Sequence, residues 1–358
     1  MSPKSSTVFF AALSDSASDE SIMEKIRLLC DATGMDTFIK KKDLTAIKTH
    51  FGEKGNVTHI NPAFIRVLVD RIKGSGGRPY LTETSVLYKS QRSNALSHIL
   101  LAFEHGFTFE NIGAPIIMSD GFLGNWEKEI KIGGEFYDSV SVAGDAISSD
   151  KLVMVSHVTG HMLSGMGATF KNMGMGLSSR KGKLNQHSNV APKVNDEACE
   201  FCNLCIKWCP EDAVIKRNDK AYIIEEQCIG CGECLTVCKQ GAVTFQWDST
   251  SEILQKKMVE HAYGIFLEKQ NAIVYFNFMI NMTKDCDCMA SKEKLVEDIG
   301  ILASFDPVAI DKATLDLTKK AHHENIAELA YPQRDAMVQI NHAIKLGMGN
   351  PEYKLIEI

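Results

Sequence analysis

Eight cysteines in two runs of identical spacing are the strongest chemical signal in this sequence. The first run is Cys199-x-x-Cys202-x-x-Cys205-x-x-x-Cys209, followed by Pro210. The second is Cys228-x-x-Cys231-x-x-Cys234-x-x-x-Cys238. Two residues between ligands let a tight loop wrap three corners of a metal–sulfide cube, with backbone N–H groups aimed at the sulfurs. Gly230 and Gly232 can supply positive φ to the second loop at little cost. Structural zinc is the alternative for eight thiolates, but zinc sites usually pair two C-x-x-C knuckles across a longer gap. The unit also repeats beyond its ligands. Ala213-Val214 stands after Cys209 as Ala242-Val243 stands after Cys238, each pair starting a short strand.

Other segments carry groups suited to moving protons or holding anions and metals. Thr49-His50-Phe51-Gly52-Glu53-Lys54-Gly55-Asn56 offers His50 and Glu53 as acid/base groups beside glycines that let backbone approach a substrate. Ser156-His157-Val158-Thr159-Gly160-His161 leads into a glycine-rich run from Gly165 to Gly176 that contains Lys171. His157, His161 and Lys171 suit an anionic substrate, a metal or a flavin phosphate. The run lacks both the dinucleotide fingerprint and the Walker pattern. Met162, Met166, Met173 and Met175 give it an adaptable apolar wall. In Asp285-Cys286-Asp287-Cys288, the two cysteines suit a further metal or cluster, a redox-active thiol pair, or two buried thiols beside capping aspartates. Asp306-Pro307 reads as an N-cap followed by proline at the first helical position, with Asp311 one turn on. Asp120-Gly121 reads as a turn and Cys30 as core.

The elements that must position these groups follow from periodicity. Strands are expected at Val8–Leu13, Leu44–Phe51, Pro79–Thr82, Ile116–Met118, Lys151–Val158, Asn271–Ile280 and Tyr353–Ile358. Helical patterns cover Glu20–Cys30, Asn61–Ile72, Ser90–His105, Ser251–Leu267, Asp306–Lys320 and Arg334–Leu346. A hairpin is expected from Lys131 to Val142 around Gly133-Gly134. The alternation predicts an α/β fold, with a mostly parallel sheet, flanking helices and ligand sites at the carboxyl ends of the strands. The large domain takes residues 1–189 and 248–358, and the cysteine unit, residues 190–247, is inserted between them. Insertion into a surface loop costs little conformational entropy.

At 358 residues, 44% apolar and 23% charged, the chain has the composition of a globular protein with one large and one small domain. A net charge of −6 makes no case for nucleic acid or anionic membrane as partner. No run has the length to span a bilayer, and the opening apolar stretch is too short for a signal h-region. Thiolate clusters without an export signal imply a reducing cytoplasm, in which disulfides are not expected, and an anaerobic host fits.

The cysteine runs resemble the bacterial-type ferredoxin, in which each run gives three ligands to one [4Fe–4S] cluster and its fourth cysteine to the other. That resemblance implies one cluster on Cys199, Cys202, Cys205 and Cys238, and another on Cys228, Cys231, Cys234 and Cys209. Pro210 fits the pattern; Lys239 departs from it at the second run. Together, His50-Phe51-Gly52-Glu53-x-Gly55-Asn56, His157-x-x-x-His161, Lys171-Asn172-x-Gly174-x-Gly176, Asp285-Cys286-Asp287-Cys288 and Asp306-Pro307-Val308-Ala309-x-Asp311 resemble the family labelled domain of unknown function 362, in its form with an inserted ferredoxin. A fainter similarity is to the amino-terminal domain of nickel-pincer lactate racemase, with His157, Gly165, Gly167 and Lys171 in comparable places. It implies acid/base chemistry on a small acid.

The expectation is an iron–sulfur oxidoreductase with two [4Fe–4S] clusters. They pass single electrons between a redox partner protein (ferredoxin, flavodoxin or reductase) and a site lined by His50, Glu53, His157, His161, Lys171, Cys286 and Cys288. There a histidine moves protons, Lys171 neutralises a small anionic substrate, and Cys286 and Cys288 hold a further metal or cluster. The alternative is a non-catalytic electron carrier whose α/β domain docks a partner enzyme.

Overall fold

The structure is a computed structural model and describes residues 6–188, 191–246 and 249–358; the expected junctions at Val190 and Trp247 lie outside the described residues. A seven-stranded sheet draws its strands from both parts of the chain. These are β1 (Ser6–Ala12), β2 (Leu44–Lys48), β3 (Arg78–Thr82), β4 (Lys151–His157), β5 (Ile273–Met279), β6 (Gly300–Ser304) and β7 (Tyr353–Glu357). Their order across the sheet is β7-β1-β6-β5-β4-β2-β3. All neighbours pair in parallel except β6, which runs antiparallel to both β1 and β5. The fold is therefore α/β with a mostly parallel sheet.

Helices cover both faces. On one side lie α1 (Asp19–Ala32), α2 (Pro62–Gly74) and α3 (Ala95–Glu104), packed with Val153, Val155, Val274, Phe276 and Phe278. The other side holds α4 (Thr169–Gly174), α6 (Ser251–Lys269), α7 (Pro307–His322) and α8 (Met337–Lys345), over Leu152, Met154, Ile273 and Tyr275. Between α4 and α6 in sequence comes α5 (Arg180–His187). Burial on both faces is why the central strands β4 and β5 read as apolar runs without polar alternation. The helix starts follow their capping residues. Asn61 accepts from the Ala63 amide ahead of Pro62, and Asp306 accepts from Val308 and Ala309 at 2.8 and 2.9 Å.

Several expectations change. The strand from Leu44 stops at Lys48 instead of Phe51, because the chain turns there into a loop of polar groups. Ile116–Met118 makes only an isolated bridge, Ile116 to Leu81. The helix expected from Ser90 splits: Gln91–Ser93 is a short 3-10 turn, and Asn94 caps α3 by accepting from Ser97 at 3.1 Å. The helix expected from Arg334 starts at Met337. Strand β6 has no counterpart in the sequence reading. Its short apolar core, Ile301 to Ala303, merges into the lead of the Asp306-Pro307 helix start. Gly300 is required where β6 meets β1: a Cβ there would stand 2.2 Å from the Ala11 carbonyl oxygen.

Residues 191–246 add no strand to the large sheet. Val214–Arg217 pairs with Lys220–Ile223, and Lys193–Val194 with Val243–Thr244. Their small core gathers Cys199, Cys205, Val214, Ala221, Ile223, Cys234, Ala242 and Val243. The two cysteine runs are built alike. Cys205 lies in a short helix, Leu204–Lys207, and Cys234 in another, Glu233–Val237. Among the described residues, no helix is long and apolar enough to cross a membrane.

Candidate functional site

Each cysteine set surrounds one hollow. Cys199, Cys202, Cys205 and Cys238 line one small space with Val194, Ala221 and Val243. Cys209, Cys228, Cys231 and Cys234 line a second with Pro192, Val214 and Ile223. The fourth sulfur of each run crosses to the other run's hollow. The Ala213 amide donates to Cys209 Sγ and the Ala242 amide to Cys238 Sγ, each at 3.2 Å. Four sulfurs on an apolar wall, with a backbone amide aimed at one of them, suit a soft metal–sulfide group far better than a hard cation.

A second concentration of polar groups lies at the carboxyl ends of the parallel strands β3, β2, β4 and β5. Lys48, the last residue of β2, forms an ion pair with Glu83, just beyond β3, and donates to Asn172 Oδ1 at 2.8 Å. Arg92 reaches Glu83 at 3.2 Å and Glu53 at 3.7 Å. Lys48, Glu83, Arg92 and His98 are all at most 3% exposed. Burial alone would raise the Glu83 carboxyl, but Lys48, Arg92, His98 and Lys183 outweigh it and hold the pKa at about 2. The ion network is thus pre-charged and buried, and its cost is offset only by mutual pairing.

The expected site residues fall around this network in different roles. His50 Nδ1 accepts from the Gly52 amide at 2.9 Å, which leaves the ring proton on Nε2; that atom is buried and has no partner. Burial, then Arg92, Lys48 and Lys171, push the His50 pKa well down, so the ring is neutral. Glu53 accepts from Tyr88 at 3.3 Å and faces Arg92. His157 donates from both ring nitrogens, Nδ1 to Asp287 at 3.0 Å and Nε2 to the Ile280 carbonyl at 2.9 Å. Burial opposes its charge, yet Asp287 and these carbonyls raise its pKa, making it a positioning imidazolium. His161 Nδ1 accepts from the Ser164 amide and hydroxyl, and burial with Lys171 and His187 lowers its pKa well below the usual value.

Lys171 sits on α4. The Asp311 carboxylate holds the amino end of that helix by accepting from the Thr169 and Phe170 amides at 3.0 Å and from Asn277 at 2.8 Å. Burial pulls the Lys171 pKa down to about 8, with Arg92 and Lys48 acting in the same direction.

Cys286 and Cys288 correct one expectation. They are bonded to each other as a disulfide, and sulfurs so bonded are not thiolate ligands for a metal. The bond sits in the loop after β5, where Asp287 between the cysteines both pairs with His157 and accepts, through its carbonyl, from the Glu53 amide at 2.8 Å.

Lys48, Glu83, Arg92, His98 and Lys183 went unnoticed in the sequence. The signal for two of them was there: a charged residue ends or follows an apolar strand at Ala46-Ile47-Lys48 and Tyr80-Leu81-Thr82-Glu83. Arg92, His98 and Lys183 sit on irregular or helical stretches, and only the tertiary fold turns them inward. Lys183 donates to the Ser85 and Ser178 carbonyls at 2.8 and 2.9 Å. Its helix, α5, also meets the cysteine unit. A Cβ on Gly230 would lie 3.3 Å from Asn185, and one on Gly232 would lie 3.7 Å from Leu184. Asn125 adds a hydrogen bond to Glu233 at 3.3 Å. One helix thus touches the loop of the second hollow on one side and the sheet-end network on the other.

Comparison with known proteins adds the relatives. The family described as Domain of unknown function (DUF362) matches residues 45–316. A selenate reductase subunit from Mesobacillus selenatarsenatis is 37% identical over 152 residues, covering 39% of this chain and 49% of that protein. The chain therefore spans about half the length of this relative. Pyruvate synthase subunit PorD from Methanothermobacter marburgensis is 31% identical over 84 residues, covering 24% of this chain and 96% of that protein. Shorter matches carry names such as iron-sulfur subunit and ferredoxin. Among solved structures, the lactate racemase apoprotein from Thermoanaerobacterium thermosaccharolyticum is 10% identical, with a TM-score of 0.42, covering 86% of this chain and 55% of that one.

Proposed function

From a chain that belongs to the family described as Domain of unknown function (DUF362), we propose an iron–sulfur electron-transfer protein that works as an oxidoreductase at the carboxyl end of its sheet. Cys199, Cys202, Cys205 and Cys238 would hold one [4Fe–4S] cluster, and Cys209, Cys228, Cys231 and Cys234 the other. When bound, such clusters supply single-electron steps at potentials spanning roughly −700 to +450 mV across proteins. The inserted unit of residues 190–247 is their carrier, and a redox protein is the external partner.

The observation that carries this reading is the double contact of α5. The second cysteine loop seats on Leu184 and Asn185, and Lys183 of the same helix reaches the strand ends. At that end the Cys286–Cys288 disulfide can take two electrons and two protons to become two thiols. His157 and Asp287 order the loop around it.

Electron counting tests the proposal. Purified without oxygen, the chain should hold about eight irons. Reductive titration should consume about four electrons, about two by the clusters and about two by the disulfide, with two new thiols alkylated in the Cys286–Cys288 peptide. The Cys286→Ser/Cys288→Ser variant should take up about two. A wild type that stops at about two electrons and shows no new thiols removes the sheet-end acceptor. That result favours the second reading, a carrier that docks a partner enzyme, for which the exposed Trp208 and Ile229 beside the cysteine runs speak.

A further inference from the structure

The pairing of charges at the sheet end leaves a remainder. Glu83 is committed to Lys48 and Arg92, Glu53 to Arg92, and Asp287 to the His157 imidazolium. Asp120, whose Oδ2 accepts from the Ser85 amide at 2.6 Å, lies in the field of Lys183 and Arg180. Lys171 has no hydrogen-bond or ion-pair partner among the described residues; burial and then Arg92 and Lys48 oppose its charge, while Asp287 and Glu83, both committed elsewhere, favour it from a distance. Lys171 is only part-buried, so its unpaired ammonium is free to meet an anion that enters at the sheet end.

Three neutral groups at the same end of the sheet are fully buried and lack partners. The Thr49 and Thr159 hydroxyls are buried and unpartnered, both residues being at most 1% exposed, and so is the Nε2–H of His50. Lys171 flanks them. Its Cδ and the Thr159 hydroxyl lie 3.3 and 3.0 Å from where a Cβ on Gly167 would stand, so both close on the same glycine. Its neighbour Asn172 holds Lys48, whose ammonium lies 3.5 Å from the Thr49 carbonyl, and the charge of Lys171 is felt at His50. Buried donors are nearly always satisfied in folded proteins, and each one left without an acceptor is destabilising. The Lys171 ammonium and the His50 N–H cannot ligate a cation, and the two hydroxyls can donate, so the set matches an acceptor with negative charge.

We propose that Thr49, His50, Thr159 and Lys171 bind a compact oxyanion, a carboxylate or a phosphate-type group, at the carboxyl end of the sheet. Lys171 neutralises the anion and the hydroxyls with His50 Nε2 orient its oxygens. Asp311, by fixing the amino end of α4, positions Lys171. The inference deepens the proposed reaction site by naming the class of its substrate. It rests on that reading for the meaning of binding, but binding itself needs no electrons.

Calorimetric titration of the intact chain, under exclusion of oxygen, with acetate, lactate, phosphate and sulfate tests it, with chloride as control. One class should bind at a single site more tightly than about 10 mM. A carboxylate-only response assigns an organic acid, and a phosphate or sulfate response assigns the tetrahedral group. Lys171→Met should weaken that binding at least tenfold, and Thr49→Val with Thr159→Val severalfold, while Lys171→Arg retains it. If Lys171→Met does not fold, the Thr49→Val/Thr159→Val pair carries the test through loss of the anion-dependent rise in melting temperature. Binding of none of the four probes overturns the proposal, as does binding that Lys171→Met and the double threonine variant leave unchanged. In either case the electron count would stand as measured, so the two proposals fail separately.

Discussion

Glu83 shows how much of this site depends on single side chains. It faces two cations within a network that water does not reach, so removing its charge strands Lys48 and Arg92 in the interior. Glu83→Gln should cost about 3 kcal/mol of unfolding free energy in denaturant titration, the usual loss when one partner of a buried pair is deleted. The sign of its pH dependence follows from the depressed pKa. Its contribution is present above the ordinary carboxyl value of 4.5 and fades as pH falls towards about 2. Stability measured across that window should decline in the wild type more steeply than in Glu83→Gln; parallel curves would show that the carboxylate is not held as described. The residue level is also where the sequence misled most. His50 and His157 look equivalent as strand-end histidines, yet one presents a free N–H and the other has both nitrogens committed. Only the partners distinguish them, and those partners are remote in sequence.

Two short helices decide whether the site is assembled. Asp311 lies on α7 but acts on α4, satisfying two orphan amides at that helix's first turn. Asp311→Ala should destabilise the chain by about 3 kcal/mol, since buried donors are left unpaired. It should also weaken anion binding, and Asp311→Asn should recover part of both. Helix α5 depends on a close approach: a Cβ on Gly182 would meet the Ser141 carbonyl oxygen at 2.2 Å. Gly182→Ala should therefore push α5 from its seat at a cost of about 1–3 kcal/mol, read by thermal unfolding. At this scale the sequence was informative wherever a cap or a period spoke for itself. Asp306-Pro307 gave its helix start, and the apolar run at Lys151 gave a central strand. It was silent on β6, whose three apolar residues between glycine and serine carry no period, and on the 3-10 turn at Gln91–Ser93.

The molecule as a whole divides its labour between a sheet that gathers charged side chains at one edge and a cysteine-bearing unit that shares no strand with it. The grouping of the eight thiols was legible because their spacing alone sets three close together in each loop, as the two lined spaces bear out. The proposed oxyanion site was not, because its residues come from the segments after β2 and β4 and from helix α4, which are remote in sequence. If the unit is an insertion, replacing residues 192–246 by a short flexible linker should leave the α/β part folded. Its circular dichroism and cooperative melting should be retained, with all iron lost. A chain that instead collapses would show that the sheet needs the unit for its own stability.

Strand β1 finds its neighbours only in β6 and β7, at the opposite end of the sequence, whereas the cysteine unit is contiguous. During synthesis β1 must therefore wait, exposed, while β2, β3, β4 and the entire sulfur-rich segment leave the ribosome. The cysteine unit is therefore complete, and free to fold, before β5, β6 and β7 emerge to finish the large sheet beside it.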